Sequence, residues 1–137
     1  RTMLAMNQAL PDLFAHFTVK KGLFRRERVQ AALFELDDYG CVMKTDKLFE
    51  PGQTIVLDLV MTMPIDDIRV DGINGLVTER RKHCSNFFYS IDFSQLRAGD
   101  QTGFSGKLRR IREVLGKKQS LRSRRSTGPA SSTRKTA

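Results

Sequence analysis

The stretch from Phe34 to Leu59 constrains the fold most, because it combines two tight turns with short segments of extended character. The first turn, Asp37–Gly40, is acidic; Asp tolerates turn geometry and Gly supplies a positive φ without steric cost. The second turn, Glu50–Gln53, contains a Pro-Gly pair, in which Pro presets φ. Apolar residues then alternate from Ile55 to Leu59 with the period of two that marks a strand with one buried face. The stretch predicts strand, turn, strand, loop and strand.

The segment before this stretch predicts a hairpin. Residues 12–19 alternate between apolar and other side chains, and Lys20–Gly22 has the composition of a turn. We expect a second strand to return from Leu23 as far as the acidic turn. A helix over Arg25–Leu36 is the alternative, because Ala, Glu, Arg and Leu are good helix formers. We favour the strand, since this segment leads directly into the turn.

Two further strands are predicted downstream. Ile68–Glu79 is a long extended run with glycines at 72 and 75, which indicate a bulge or a bend at a barrel corner. Arg80–His83 has the character of a polar connection. Asn86–Phe93 alternates regularly and predicts the last strand.

A helix closes the predicted fold. Phe104, Leu108, Ile111 and Leu115 recur at three- and four-residue spacing, which places them on one helical face, and Gly116 suits the position just after a helix end. Short strands with no helix between them favour an antiparallel barrel. We therefore predict an all-β fold: a small six-stranded antiparallel β-barrel with a C-terminal amphipathic helix on its flank or mouth.

The positive charge of the chain is concentrated at its C-terminal end. Residues 117–137 hold seven of the 24 basic residues and none of the 15 acidic ones, so the rest of the chain is near neutral. We predict an N-terminal segment (1–11), the barrel with its helix (12–116) and a basic, disordered tail (117–137). Such a tail makes weak, non-specific contacts with polyanions. One alternative is that residues 1–5 are vector-derived and that Met6 is the natural start.

Composition also limits location and chemistry. Two cysteines, Cys41 and Cys84, make no disulfide framework, and no apolar run approaches the roughly 20 residues that span a bilayer. We expect a cytoplasmic protein. The chain has no phosphate-cradling loop or nucleophile motif, and His16 and His83 are its only histidines. We expect no enzymatic activity, no metal and no cofactor.

Three features together resemble the PilZ domain, a small bacterial β-barrel that commonly binds cyclic di-GMP. The family has an Asp-x-Ser-x-x-Gly turn, whose place Glu35–Gly40 fills, with Glu35 for the Asp, Asp37 for the Ser and Gly40 matching. A shifted register, with Asp37 as the family Asp, is the alternative. In the family and in this sequence alike, a Pro-Gly turn then precedes a strand in which apolar residues alternate with other side chains. Ser90–Phe93 fills the place of the family's Gly-Val-x-Phe pattern in the last strand.

The resemblance implies a bacterial signalling module that binds cyclic di-GMP. PilZ receptors carry Arg-x-x-x-Arg before the barrel; the nearest match here is Lys21-x-x-x-Arg25, within a cluster of arginines. A guanidinium group can donate two hydrogen bonds to one phosphate and can stack on a guanine ring. A carboxylate accepts hydrogen bonds from guanine N–H groups. The candidate ligand-binding residues are Arg25, Arg26, Arg28, Glu35, Asp37 and Gly40. Arg80 and Arg81 are expected to lie outside this site.

Two other functions remain open. The domain is alternatively a degenerate PilZ-like adaptor that binds no nucleotide and docks on a partner protein. A nucleic-acid binder acting through the tail is the third, and it is disfavoured because no aromatic residue follows Leu115 to stack on bases.

Overall fold

The computed structural model describes residues 8–93 and 104–132, with helix side chains described from 106 to 121. The elements are β1 (Leu13–Lys20), β2 (Arg26–Leu36), β3 (Gly40–Thr45), β4 (Thr54–Met61), β5 (Ile68–His83), β6 (Asn86–Asp92) and one helix, α1 (Phe104–Ser132). The six strands form a closed antiparallel barrel in the order β1-β2-β3-β6-β5-β4, in which β4 pairs back onto β1. The predicted barrel with a C-terminal helix is confirmed.

The barrel interior is filled by alternate residues of each strand, as the period-two pattern requires. Leu33 of β2, Met43 of β3, Leu57 of β4 and Tyr89 of β6 are fully buried. One end is plugged by Phe49, from the loop between β3 and β4, which also belongs to this core. The interior is therefore a packed core rather than a channel.

Helix α1 packs its apolar stripe into the same core. The buried stripe residues are Leu108, Ile111 and Leu115. The helix is also tied to the barrel by ion pairs from Arg112 to Asp38 and from Lys118 to Asp12, both at 2.8 Å. These contacts place it at the end of the barrel where β1 begins, next to the β2–β3 turn. The predicted stripe is confirmed for these three residues, whereas the side chain of Phe104 lies outside the described residues.

The helix does not end at Gly116, so that predicted end is wrong. Its backbone continues to Ser132, and Gly116 is not among the glycines with positive φ. A glycine ends a helix when it adopts the left-handed conformation, and the residues that follow here, from Lys117 to Leu121, mostly favour helix. The predicted boundary between 12–116 and 117–137 thus falls inside α1. Residues 133–137 lie outside the described part of the chain.

Two strand boundaries also differ from the prediction. Strand β2 begins at Arg26 rather than Leu23, and β5 continues through Arg80–His83, which was predicted to be a connection. These four residues pair with β6, and the turn is the tight Cys84–Ser85 link, where Cys84 has φ of 56°. Polar composition misled the prediction, because the outer face of an antiparallel strand accepts charged residues.

The bulge predicted from the glycines of β5 is confirmed at Gly72. The pairing with β4 shifts between Leu57 and Leu59, and Gly72 has φ of 72°. Its N–H donates to Oδ1 of Asp58 at 2.9 Å. A side chain at Gly75 would instead overlap with Ile91, so this glycine is required by close packing inside the barrel.

Within the described residues, α1 is neither long enough in its apolar part nor apolar enough to cross a membrane.

Candidate functional site

An open groove of about 920 Å³ crosses the outer faces of β2, β3, β6 and β5, which are adjacent in the barrel. Residues 8–10 border it on one side, and Leu115 and Gln119 of α1 border it on another. The acidic β2–β3 turn, with Asp37, Tyr39 and Gly40, lies at its rim. The groove therefore lies where the family resemblance places the ligand turn.

The groove has an apolar floor made by Phe34, Val42 and Phe88. The rings of Phe34 and Phe88 meet edge to face with centroids 5.1 Å apart, and the ammonium of Lys44 lies within 6 Å of both. Strand alternation puts Leu33 in the core and Phe34 on the outer face. A register shift between Leu33 and Glu35 creates a bulge, which places Glu35 opposite Val42 on that outer face as well. The bulge thus brings a carboxylate to the aromatic floor.

Asp37 organises the turn at the rim of the groove. Its Oδ1 accepts from the backbone N–H groups of Tyr39 at 2.8 Å and Gly40 at 2.9 Å. Its own N–H donates to the carbonyl of Gly40 at 3.0 Å. This is the Asx-turn chemistry expected of Asp in a tight turn. Asp37 is therefore engaged with the backbone of its own turn.

The reason predicted for Gly40 is wrong. Gly40 is not among the residues with positive φ. A Cβ at this position would collide with the backbone carbonyl of Ile91 in the neighbouring strand β6. Gly40 is needed because β3 and β6 approach closely at this point, not because the turn needs a left-handed residue.

The groove carries more negative than positive charge. Among the described residues that line it, the carboxylates are Glu35, Asp37, Glu79 and Asp92, and the single guanidinium is that of Arg81. Arg81 is itself 3.6 Å from Glu79. A second bulge, at Thr78, places Glu79 opposite Ser90 on the outer face of the barrel. The charges of the described lining residues therefore sum to a negative value, which favours a cationic partner.

The candidate residues do not form one cluster. Arg26 and Glu35 lie at opposite ends of β2, nine residues apart, which corresponds to about 30 Å at the usual rise of an antiparallel strand. Arg25 precedes the strand, in the β1–β2 loop. The structure thus brings together Glu35, Asp37 and Gly40, and leaves the three arginines at the far end.

Arg28 has a different partner. As expected, Arg26 and Arg28 point to the same outer face of β2, but Arg28 donates to Oδ2 of Asp58 on β4 at 2.6 Å. Partial burial tends to raise the pKa of Asp58, yet the hydrogen bonds from Arg28 and Gly72 and the nearby cationic charge outweigh it and hold that pKa below its ordinary value. This ion pair lies over β1 and β4, away from the groove.

Sequence reasoning missed Arg81 and Glu79. It assigned Arg80 and Arg81 to a connection. Both residues belong to β5, in which successive side chains point to opposite faces of the sheet, so the two arginines have different surroundings. Arg81 lines the groove, and Arg80 donates to the carbonyl of Phe49 at 2.8 Å. Extending the period-two pattern of β5 by four residues would have found this difference.

The cysteines offer no nucleophile in the groove. Cys41 lines it but is buried, and burial raises the pKa of its thiol far above the ordinary value. A thiol in such an environment is inert. Cys84 is exposed at the β5–β6 turn. Among the residues that the structure describes, no group of three or more His, Cys, Asp and Glu side chains is arranged to hold a metal ion.

The arrangement is that of a binding surface: a negatively charged trough with an apolar floor and an exposed tyrosine at its rim. No protein-family model matches this chain, and no curated protein matches it.

Proposed function

We propose that this chain is a non-enzymatic, PilZ-like docking domain whose groove binds a basic segment of a partner protein in bacterial cytoplasmic signalling. The observation that carries the proposal is the charge of the described groove residues, where four carboxylates outnumber the Arg81 guanidinium and the Lys44 ammonium around an apolar floor. A cationic segment gains attraction there, whereas a nucleotide with two phosphates meets repulsion.

The partner segment is expected to combine basic and apolar residues. Tyr39 is 58% exposed at the rim and offers a ring on which an arginine or an aliphatic side chain can pack. The carboxylates of Glu79 and Asp92 lie on neighbouring strands, β5 and β6, and both line the groove. Since these charges are near the surface, the affinity should fall as salt is added.

The PilZ-like assignment rests on the strand order and on the two turns. Glu35 and Asp37 stand where the family has Asp and Ser, so the turn carries an additional negative charge. The given sequence contains no Arg-x-x-x-Arg, and its nearest match, Lys21-x-x-x-Arg25, begins with Lys. Both features favour docking over nucleotide binding.

Binding of cyclic di-GMP remains the second candidate, and Arg81 is the observation in its favour. This guanidinium lines the same groove as Gly40 and carries a positive charge that a phosphate could meet. Should the nucleotide bind, Arg81 is better placed than Arg25, Arg26 or Arg28 to meet its phosphates.

The docking proposal is tested with a defined probe, a short peptide of alternating Arg and Leu, and its counterpart of alternating Glu and Leu. Amide chemical shifts of the labelled full chain are followed during titration. The Arg–Leu peptide should shift the amides of Gly40, Val42 and Ser90, and the Glu–Leu peptide should not. Equal shifts with both peptides, or shifts confined to other strands, would contradict the proposal.

Charge-neutral variants locate the interaction. Glu35→Gln, Glu79→Gln and Asp92→Asn together should weaken the peptide about tenfold, since surface charge pairs contribute roughly 0.5 kcal/mol each. The matched control combines Asp46→Asn, Asp66→Asn and Asp71→Asn, which remove three carboxylates outside the groove. Similar losses in both triple variants would mean that only net charge matters.

A calorimetric titration with cyclic di-GMP separates the two candidates. We expect no heat at near-millimolar nucleotide. Binding that is lost in Arg81→Ala but kept in Arg26→Ala with Arg28→Ala would establish a receptor with its site in the groove. If binding is instead lost in the Arg26 and Arg28 double variant, the nucleotide site lies at the β1–β2 hairpin.

A further inference from the structure

The loop that joins β1 to β2 exposes two large apolar side chains at its tip. Leu23 is 90% exposed and Phe24 is 95% exposed, so neither packs on the barrel. We call residues 20–26 the hairpin tip. Isolated exposed apolar residues are common, but two adjacent ones at the apex of a turn are not explained by any need of the turn itself, which polar residues would satisfy equally well.

The hairpin tip has a defined backbone. The N–H of Lys21 donates to the carbonyl of Arg25 at 2.9 Å, which closes the loop at its base. Gly22 has φ of 82°, a conformation that glycine adopts without cost. This closure fixes Leu23 and Phe24 at the apex of the hairpin.

Basic residues surround the two apolar ones. Lys20, Lys21, Arg25 and Arg26 are all exposed, and no acidic residue lies between 20 and 26. The first acidic residue, Glu27, is already neutralised by ion pairs with Lys21 at 3.7 Å and Lys47 at 3.2 Å.

A second loop adds to the same surface. Because Lys47 reaches Glu27 at the base of the hairpin, the loop after β3 lies beside it. In that loop Leu48 is 63% exposed. This end of the barrel thus presents three apolar side chains and five cationic ones, beside the carboxylates of Glu27 and Asp46.

We infer that the hairpin tip binds an anionic lipid surface, with Leu23 and Phe24 inserted among the acyl chains and the surrounding cations on the headgroups. A cluster of apolar residues surrounded by basic ones binds the membrane interface in two ways. The apolar side chains are buried in the bilayer, and the basic side chains attract anionic lipid headgroups. A nucleic acid would use the cations and the ring of Phe24, but Leu23 has no flat face on which a base can stack.

This contact is compatible with the groove and independent of it. The hairpin tip and the acidic turn lie at opposite ends of β2, so a lipid surface at the tip leaves the groove open. The inference does not depend on what the groove binds.

A single tryptophan tests insertion, because the chain has no native tryptophan. The full chain with Phe24→Trp is mixed with vesicles of phosphatidylcholine and phosphatidylglycerol, and with vesicles of phosphatidylcholine alone. Its emission should shift to the blue with the anionic vesicles and be quenched by brominated acyl chains. The control is Ile65→Trp, which places a tryptophan on a residue 89% exposed in the β4–β5 connection, at the opposite end of the barrel, and it should not respond.

The apolar contribution is tested by Leu23→Ser with Phe24→Ser, which leaves the net charge and the basic helix α1 unchanged. Co-sedimentation with anionic vesicles should fall at least tenfold, whereas Ile65→Ser should sediment like the wild type. Unchanged melting temperatures would show that each variant folds.

Three results would overturn the inference: no quenching of the tryptophan at position 24, equal sedimentation of the double variant and the wild type, or quenching by a single-stranded oligonucleotide but not by brominated lipid. The last result would identify a nucleic-acid contact instead.

Discussion

The hydroxyl of Tyr89 accepts a hydrogen bond from the backbone N–H of Phe49 at 2.8 Å, and the two rings meet edge to face with centroids 5.4 Å apart. The same hydroxyl donates to the carbonyl of Lys47 at 2.7 Å. Phe49 also packs edge to face on Phe17, at 5.5 Å between ring centroids. One hydroxyl on β6 thus holds the loop that plugs one end of the barrel.

Removing that hydroxyl should weaken the attachment of the β3–β4 loop to the barrel and lower the free energy of unfolding. Tyr89→Phe keeps the ring in the core but leaves the N–H of Phe49 without its acceptor, which costs about 1 to 3 kcal/mol for a buried polar group. Urea denaturation measures this loss. An unchanged midpoint would mean that packing of Phe49 alone holds the loop.

The helix stripe should contribute strongly to stability. Leu108→Ala or Ile111→Ala should each cost about 2 to 4 kcal/mol, the range for truncating a buried aliphatic side chain. Arg110→Ala is the control on the exposed face and should change the free energy of unfolding by less than about 0.5 kcal/mol. Equal melting temperatures for all three variants would show that α1 does not pack on the barrel in solution.

Two glycines should respond to alanine in opposite directions. Gly40→Ala forces a methyl group against the carbonyl of Ile91 and should destabilise by about 1 to 3 kcal/mol or more. Gly116→Ala meets no atom within 4 Å and lies inside α1. It should therefore stabilise by about 0.5 to 1 kcal/mol, as expected for a helix interior. Destabilisation by Gly116→Ala would indicate that the helix ends there after all.

The ion pair of Asp58 should make stability depend on pH. Because its pKa is lower in the folded chain than the ordinary value of 3.8, its contribution is complete above that value and is lost as the pH falls through the folded-state pKa. The difference in free energy of unfolding between wild type and Asp58→Asn should be largest near neutral pH and shrink in acid. Arg28→Ala should weaken the same dependence, because the Gly72 N–H and Arg69 still favour the charged carboxylate. A constant difference across this range would exclude the linkage.

Deleting residues 119–137 should leave the unfolding transition in place. Among the described side chains, the buried stripe ends at Leu115, and the last ion pair to the barrel is that of Lys118. The deletion removes five basic residues, so retention on heparin should fall and should depend less on salt. A cooperative loss of structure would show that the distal helix supports the barrel.

The sequence alone determined the local features. The alternation in β1, β4 and β6, the Asp37 and Pro51 turns and the 108–115 stripe are set by side-chain periodicity and turn chemistry, which act over a few residues. Six such strands without intervening helices have few solutions other than a barrel. That is why the architecture could be predicted before the structure.

Only the tertiary structure decided which residues meet. Arg28 is only seven residues from Glu35 in the sequence. In an extended strand, however, this separation corresponds to more than about 20 Å. Barrel closure pairs Arg28 with Asp58 instead, and the β5–β6 register brings Arg81 and Glu79 into the groove that the acidic turn borders. Register and closure are long-range properties, because they depend on how all six strands bury their inner faces together. For this reason the turn of the candidate site could be predicted from the sequence, and its charged neighbours could not.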